Sequence, residues 1–271
     1  MGTIAQFLAE TIPVFAKAGI LTARLDALVL LGDALGRDKS WILAHDDSEI
    51  PAGILASLKH NTSLRAKRMP LAYVRGHQEF YGRTFLVTPS VLIPRPETEQ
   101  LITELKALNL RRGSLLLDVG TGSGAIAITA ALEVPQLRIE ACDISAGALD
   151  VARQNADRLG VYIERFFESD LLSQAGRYDV IAANLPYVGP DWLRSPETDF
   201  EPGLALFADN NGLSLIEKLL KQSITHLNPD GYLLLEADPR QFVAIKRAAP
   251  KRLAHTATNG FVLIFQYKEL L

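Results

Sequence analysis

The sequence predicts an α/β fold built on a mostly parallel, seven-stranded sheet, and three observations carry that expectation. From residue 115 onward, short apolar runs of strand length alternate strictly with helical stretches, which is the pattern of a doubly wound sheet. A glycine-rich turn, Gly120-Thr121-Gly122-Ser123-Gly124, follows the first of those runs and opens a helix. Near the C-terminus, Asn259-Gly260 is the dipeptide of a type I′ hairpin, so the last strand should run antiparallel.

Residues 1 to about 75 read as a small helical bundle. Ile4, Phe7, Leu8, Ile12 and Phe15 recur at helical spacing, interrupted by Pro13 and ended at Gly19. Ala23 to Leu35 forms a second helix stopped at Gly36, and Ser40 can cap a short one holding Trp41 and Leu43. A further helix runs from about Pro51 to Met69, just before Pro70. The period then changes. Phe80, Tyr81, Phe85, Val87, Val91 and Ile93, broken by Gly82, Pro89 and Ser90, suggest a β-hairpin between two domains. Pro96 opens a helix that ends near Asn109.

Five strands are then expected to be parallel: Leu115 to Val119, Arg138 to Asp143, Val161 to Phe167, Tyr178 to Ala183 and Tyr232 to Glu236. Asn228-Pro229-Asp230-Gly231 reads as a turn before the fifth. Helices over Ser123 to Leu132, Ala146 to Leu159, Gly212 to Leu227 and about Pro239 to Ala248 connect them, and Arg252 to Thr258 with Phe261 to Tyr267 make the closing hairpin. The domains are therefore placed at 1–75 (helical), 76–95 (hairpin linker) and 96–271 (α/β).

Composition narrows the function classes. The 271 residues are 48% hydrophobic with a net charge of −3, so the whole molecule is not built as a polyanion binder, and stable direct binding of nucleic acid is not expected. The single cysteine, Cys142, excludes an internal disulfide framework, fits a reducing cytoplasm and reads as a small buried core residue. No apolar run approaches the roughly 20 residues of a membrane span, and Met1 to Glu10 lacks the basic and apolar regions of a secretory signal. His45, His60, His77, His226 and His255 are scattered without ligand spacing, so no metal is expected. From Lys59 to Arg83, Lys59, Arg65, Lys67, Arg68, Arg75 and Arg83 face one acid, Glu79: either a solvated face with a basic linker, or a docking surface for an acidic or RNA-bound partner.

The chemistry should gather at the carboxyl ends of the strands. Gly120, Gly122 and Ala125 also satisfy a dinucleotide fingerprint, and Asp143 at the end of the second strand could accept both ribose hydroxyls of NAD or of S-adenosylmethionine (SAM). SAM is favoured by Asp118 immediately before the loop, by Ser169-Asp170-Leu171 placed to meet an adenine ring, and by the end of the fourth strand. There Asn184-Leu185-Pro186-Tyr187 combines an amide, a Pro-stiffened turn and an aromatic, a set able to grip a planar nitrogen. Five parallel strands closed by a hairpin are the arrangement of class I SAM-dependent methyltransferases, Rossmann-like in topology.

Asn184-Leu185-Pro186-Tyr187 resembles the Asn-Pro-Pro-Tyr motif of amino methyltransferases. Its surroundings resemble the HemK/PrmC family of protein-(glutamine-N) methyltransferases, which act on the Gly-Gly-Gln motif of peptide-chain release factors. The likeness runs through Pro70-Leu71-Ala72-Tyr73, Gly76, Glu79-Phe80, Leu92-Ile93-Pro94-Arg95-Pro96-Glu97-Thr98-Glu99, Phe200-Glu201-Pro202 and Leu233-Leu234-Leu235-Glu236. The Ile-Pro-Arg-Pro-Glu-Thr-Glu stretch is its most specific part. The resemblance implies SAM held by Asp118, Gly120, Thr121, Gly122, Ser123, Gly124, Asp143, Asp170, Leu171 and Asn184. It implies a catalytic Asn184, Leu185, Pro186 and Tyr187, with release factors as partners, a monomer in the cytoplasm and a helical domain that docks the substrate.

Two acceptors, the Asn184 side-chain oxygen and the residue 185 carbonyl, would hold a carboxamide's two N–H groups while Tyr187 packs against the amide. No general base is assigned. Glu201 and Glu236 read as wall and strand-end residues, with Arg95 and Thr98 lining the cleft. Leu185 stands where the family has Pro. Its carbonyl is retained, so Leu185→Pro is expected to preserve or raise activity. Asn-Leu-Pro-Tyr also occurs in ribosomal-RNA adenine dimethyltransferases. The alternatives are therefore glutamine methylation of a large-subunit ribosomal protein, adenine amino-group methylation of RNA or DNA, and a non-catalytic SAM-binding scaffold.

Overall fold

The computed structural model describes residues 2–189 and 191–269. Met1, Pro190, Leu270 and Leu271, where the expected outer domain limits fall, lie outside the described residues. The chain divides into two compact units, one of Met1–His77 with Arg194–Phe200, the other of Gln78–Leu193 with Glu201–Leu271.

The first unit holds helices α1 (Ile4–Lys17), α2 (Ala23–Leu35), α3 (Lys39–Ala44), α4 (Ala52–Ala66) and α5 (Leu71–Arg75). Their core is made by Phe7, Phe15, Leu31, Ile42 and Leu58 with their neighbours. Helix α1 runs through Pro13 rather than stopping there. Ile4, Phe7, Thr11 and Phe15 are buried on both sides of the proline. Burying two phenylalanines at about 1.5–3 kcal/mol each offsets a break that costs about 3 kcal/mol. The cap of α3 is Asp38, whose carboxylate accepts from the Trp41 amide at 2.7 Å, and not Ser40; the acid sits one turn ahead of the amide it must reach.

The arginines of the basic stretch are paired within the fold, while Lys59 and Lys67 are exposed. Buried Arg65 bonds Asp26 at 2.8 Å and Glu197 at 3.0 Å, and Arg68 bonds Glu197 at 2.6 Å. Burial pushes the Glu197 carboxyl up, yet hydrogen bonds from Ser195, Arg68 and Arg65 hold it down at about 2. Arg75 pairs with Asp33 in the same unit. The acids that neutralise these arginines are distant in sequence, so a local charge count does not register them.

In the second unit a hairpin of β1 (His77–Phe80) and β2 (Arg83–Leu86) precedes α6 (Glu99–Ala107), and Arg83 pairs with Glu133 at 2.7 Å. The hairpin ends at Leu86, short of Ile93. Beyond it the donors are met by side chains: Asn155 receives the Leu86 amide (2.6 Å) and donates to its carbonyl (2.9 Å), and Glu201 receives the Ile93 amide (3.2 Å). With Pro89 and Pro94 lacking donors, this segment is anchored without a strand partner.

The sheet comprises β3 (Leu115–Val119), β4 (Arg138–Asp143), β5 (Arg165–Glu168), β6 (Tyr178–Asn184), β7 (Leu227–Glu236), β8 (Leu253–Asn259) and β9 (Val262–Tyr267). Its order is β8-β9-β7-β6-β3-β4-β5. The strands β5, β4, β3, β6 and β7 are parallel, and β9 runs antiparallel to both of its neighbours. The class I methyltransferase arrangement is thus present, hairpin included.

Both faces are covered. Leu116, Val180 and Ala182 pack on one side with α7 (Ala125–Glu133) and with Ala156 of α8 (Ala146–Leu159), and Leu117, Ile181 and Ala183 on the other with α9 (Ser214–His226). Two-sided burial explains why the strands read as continuous apolar runs. The third strand begins at Arg165 rather than Val161, because Val161 is still bonded to Ala156 at the end of α8. The Asn228–Gly231 turn lies inside β7: Tyr178 faces Leu227 and Val180 faces Tyr232, so the residues between loop out of the ladder.

Candidate active site

Strands β4 and β6 flank β3 and are reached by crossovers in opposite directions, so the sheet opens a crevice at the carboxyl ends of these strands. A cavity of about 270 Å³ lies there, lined among others by Thr98, Gly120, Gly122, Asp143, Leu171 and Asn184.

The glycine turn is tied to β4 by main-chain bonds: the Gly120 and Thr121 amides donate to the Cys142 carbonyl at 2.9 and 3.0 Å. Gly120 has φ of +71°, and a Cβ there would lie 3.2 Å from Leu185 Cδ2, so the loop needs both the left-handed backbone and the missing side chain. Asp118 does not line the cavity. It is fully buried and accepts from the Thr121 hydroxyl (2.7 Å) and the Ala127 amide (3.1 Å), stapling the turn to α7. Burial pushes its carboxyl up to about 7, and its Oδ1 has no partner. Burial likewise pushes the Cys142 thiol up to about 12.

Asp143 ends β4 and faces the cavity. It accepts from the Gly122 amide and the Ser145 amide, both at 2.9 Å, and burial raises its carboxyl against those bonds. Two donors leave further lone pairs for a ligand's vicinal hydroxyls. Thr121 and Ser123 line the same cavity, as do Asp170 and Leu171; Leu171 holds a φ of +52°, uncommon for a branched residue. Gly124 is the αL residue that opens α7 and lies behind the lining. A carboxylate for hydroxyls, a glycine turn that admits close approach of a ligand and an apolar shelf at Leu171 and Leu185 fit an adenosyl group.

Asn184 ends β6, and its Nδ2 donates to Thr98 Oγ1 at 3.0 Å. Leu185 is buried, packing its side chain into the core below the glycine turn. A Pro in its place would give up this side-chain packing. Pro186 lines the cavity; Tyr187 stands behind it with its hydroxyl donating to Glu236 Oε1 at 3.3 Å. The Tyr187 carbonyl accepts from Gln241 Nε2 at 2.9 Å. Opposite, Arg95 pairs with Glu201, whose other oxygen receives the Ile93 amide.

Thr98, Asn155, Glu201 and Glu236 carry more of this geometry than their sequence context suggested. Asn155 also donates to the Ser123 carbonyl at 2.8 Å, joining the hairpin to the glycine turn. Its only signal was an amide on the apolar face of α8. Among the described residues no group of His, Cys, Asp or Glu could hold a metal ion, and no helix is long and apolar enough to cross a membrane.

Residues 6–76 match the family model of the PrmC N-terminal domain, and residues 96–191 that of the methyltransferase small domain. The release factor glutamine methyltransferase of Koribacter versatilis is 43% identical over 228 residues, covering 80% of this chain and 81% of that protein. This chain belongs to the release factor glutamine methyltransferases. The enzyme of the same name from Bordetella pertussis is 39% identical, covering 79% of this chain and 81% of its own. A methyltransferase from Pyrococcus furiosus, 21% identical, shares the fold with a TM-score of 0.54 over 81% of this chain and 100% of that one. As a member of its family the chain is a SAM-dependent methyltransferase, and the crevice between β3, β4 and β6 has the shape and polar groups for that cofactor.

Proposed function

We propose that this enzyme methylates the side-chain amide nitrogen of the glutamine in the Gly-Gly-Gln motif of peptide-chain release factors. The observation that carries the reading is the state of Asn184. Its amide nitrogen is engaged by Thr98, which turns Oδ1 away as a free acceptor at the cavity wall. Asp143 would hold the ribose hydroxyls, the glycine turn and Leu171 the rest of the nucleoside. SAM supplies a methyl group already activated by the sulfonium.

The remaining work is positioning. A carboxamide nitrogen is a poor nucleophile because its lone pair is delocalised into the carbonyl. Asn184 Oδ1 and the residue 185 carbonyl accept its two N–H groups and hold it in line, where orientation alone is worth an effective molarity of about 10⁵ M or more. The new N–C bond forms as the methyl leaves sulfur, and the surplus amide proton passes to water. Tyr187, fixed at its hydroxyl and its carbonyl, stands behind Pro186 and braces the wall against which the amide lies.

In this reading residues 1–75 dock the substrate, 76–95 link, and 96–271 carry SAM and chemistry. The protein acts in the cytoplasm, as a monomer, without stable binding to nucleic acid or membrane. Internal pairing of Arg65, Arg68, Arg75 and Arg83 supports the lack of a nucleic-acid surface. Labelled SAM offered with a release factor, a large-subunit ribosomal protein and an adenine-containing oligonucleotide in separate reactions tests this. Label in the release factor is expected; label confined to nucleic acid or to the ribosomal protein overturns it.

A further inference from the structure

Glu236 is the last residue of β7 and lies beside Asn184 in the β6–β7 register. It is 1% exposed, and its Oε2 has no hydrogen-bond partner. The Tyr187 hydroxyl donates to its Oε1 at 3.3 Å, the neighbouring Thr98, Tyr187 and Asn184 side chains favour its ionised form, and Asn184 Nδ2 donates to Thr98 Oγ1 at 3.0 Å. The charged groups facing it are acidic: Glu97, one residue before Thr98, opposes its ionisation, and Asp238 acts on the adjoining Tyr187. The nearby Arg95 is committed to Glu201. A buried acid is thus wired to the catalytic amide, and the transfer described above gives it no task.

Hydrogen-bond polarity supplies one. A threonine hydroxyl has a single hydrogen to give, and an ionised carboxylate can only accept. With Glu236 ionised, Thr98 donates to it and turns its lone pairs to Asn184, which must answer with its NH₂ group. The Asn184 oxygen is then left to face the substrate. A protonated Glu236 can instead donate to Thr98, which can in turn donate to the Asn184 oxygen. The NH₂ group would then confront the N–H donors of the incoming amide.

Resting on the amide-nitrogen reading above, we propose that Glu236 is a positioning residue: through Thr98 it fixes the Asn184 amide with Oδ1, the acceptor, toward the substrate nitrogen. It neither touches the reacting atoms nor takes the proton.

Burial raises the Glu236 carboxyl to about 7, so the relay is complete above that pH and is lost as pH falls through it. Asp118 titrates in the same range but lies under the cofactor loop, so its effect belongs to SAM binding. The test measures kcat, KM for a release factor and SAM affinity across pH 5.5 to 9, a range chosen as roughly two pH units about the ordinary transition. Wild type should show kcat rising with pH. Glu236→Gln, which can donate to Thr98, should lower kcat by about 100-fold, as a misdirected group does, and lose the pH-dependent rise while binding SAM as wild type does. Thr98→Ser should restore near-wild-type kcat where Thr98→Val does not.

A Glu236→Gln enzyme with the wild-type pH profile overturns the relay, as does a loss that appears equally in SAM affinity. Thr98→Ser behaving like Thr98→Val also overturns it. Wild-type enzyme that labels no release factor overturns the substrate reading instead.

Discussion

The cofactor half and the substrate half of the site meet at Gly120 and Leu185 but are held in different ways. The glycine turn is kept in shape by neighbours: Thr121 reaches Asp118 three residues away, and Gly122 reaches Asp143 at the end of the next strand. The substrate grip is held by side chains that are remote in sequence. Asn184 bonds Thr98 across 86 positions, and Ile93 bonds Glu201 across 108. Local main-chain geometry makes a nucleoside site that many sequences can share. Long-range side-chain bonds make the part that, in the proposed function, selects one nitrogen.

If that division holds, removing the grip should leave the cofactor half intact. Asn184→Ala should lower kcat by roughly 10²–10³-fold, the scale of losing one preorganised polar group at a reacting centre, with SAM affinity by calorimetry unchanged. Gly212 sharpens the same point. A Cβ there would fall 1.9 Å from the Tyr187 carbonyl, at a φ of +83°. Gly212→Ala should therefore displace Tyr187 and lower turnover by at least about tenfold, again sparing SAM binding.

Asn155 ties the hairpin to the glycine turn and should behave differently. Asn155→Ala strands the Leu86 amide and carbonyl and the Ser123 carbonyl, an expected loss of about 2–4 kcal/mol visible in denaturant midpoints and in SAM affinity together. Leu185→Ala should give up about 2–3 kcal/mol of buried packing and weaken SAM binding through Gly120. An unchanged SAM affinity would separate the two halves more fully than the contact at Gly120 implies. The smallest effect concerns pH. Asp118 is held near 7 in the folded chain and titrates lower when unfolded. Between those values the native state binds the extra proton, so stability should fall as pH rises toward 7 and then level off. Asp118→Asn should reduce that slope in melts taken from pH 5 to 8, leaving the share of Glu236, which burial raises in the same way.

The same division explains what could be read without coordinates. The alternation of strands and helices, the glycine turn and the Asn259-Gly260 hairpin are local patterns, and the sheet follows them to within a few residues. Asp118 was recognisable as the acid of the loop, but only burial shows that it staples the turn rather than meeting a ligand. The boundaries that shifted did so where side chains replaced main-chain partners, as at Leu86 and Ile93, or where packing overrode a breaker, as at Pro13. The pairing of the arginines in the basic run was not legible because their acids, Asp26, Asp33, Glu133 and Glu197, come from elsewhere. Glu236 read as the plain end of a strand, since nothing local marks a carboxylate that lies beside Asn184 and accepts from Tyr187.

The central claim is that Asn184 presents an acceptor to a glutamine nitrogen without contributing much to SAM binding. Peptide mass spectrometry of a release factor treated with SAM and either wild type or Asn184→Ala tests it most directly, with SAM affinity measured on the same preparations. The account predicts one methyl group on the Gly-Gly-Gln glutamine with wild type, none with the variant, and equal SAM affinity. A methyl group on that glutamine at wild-type rate with Asn184→Ala, or a parallel collapse of SAM binding, would contradict it.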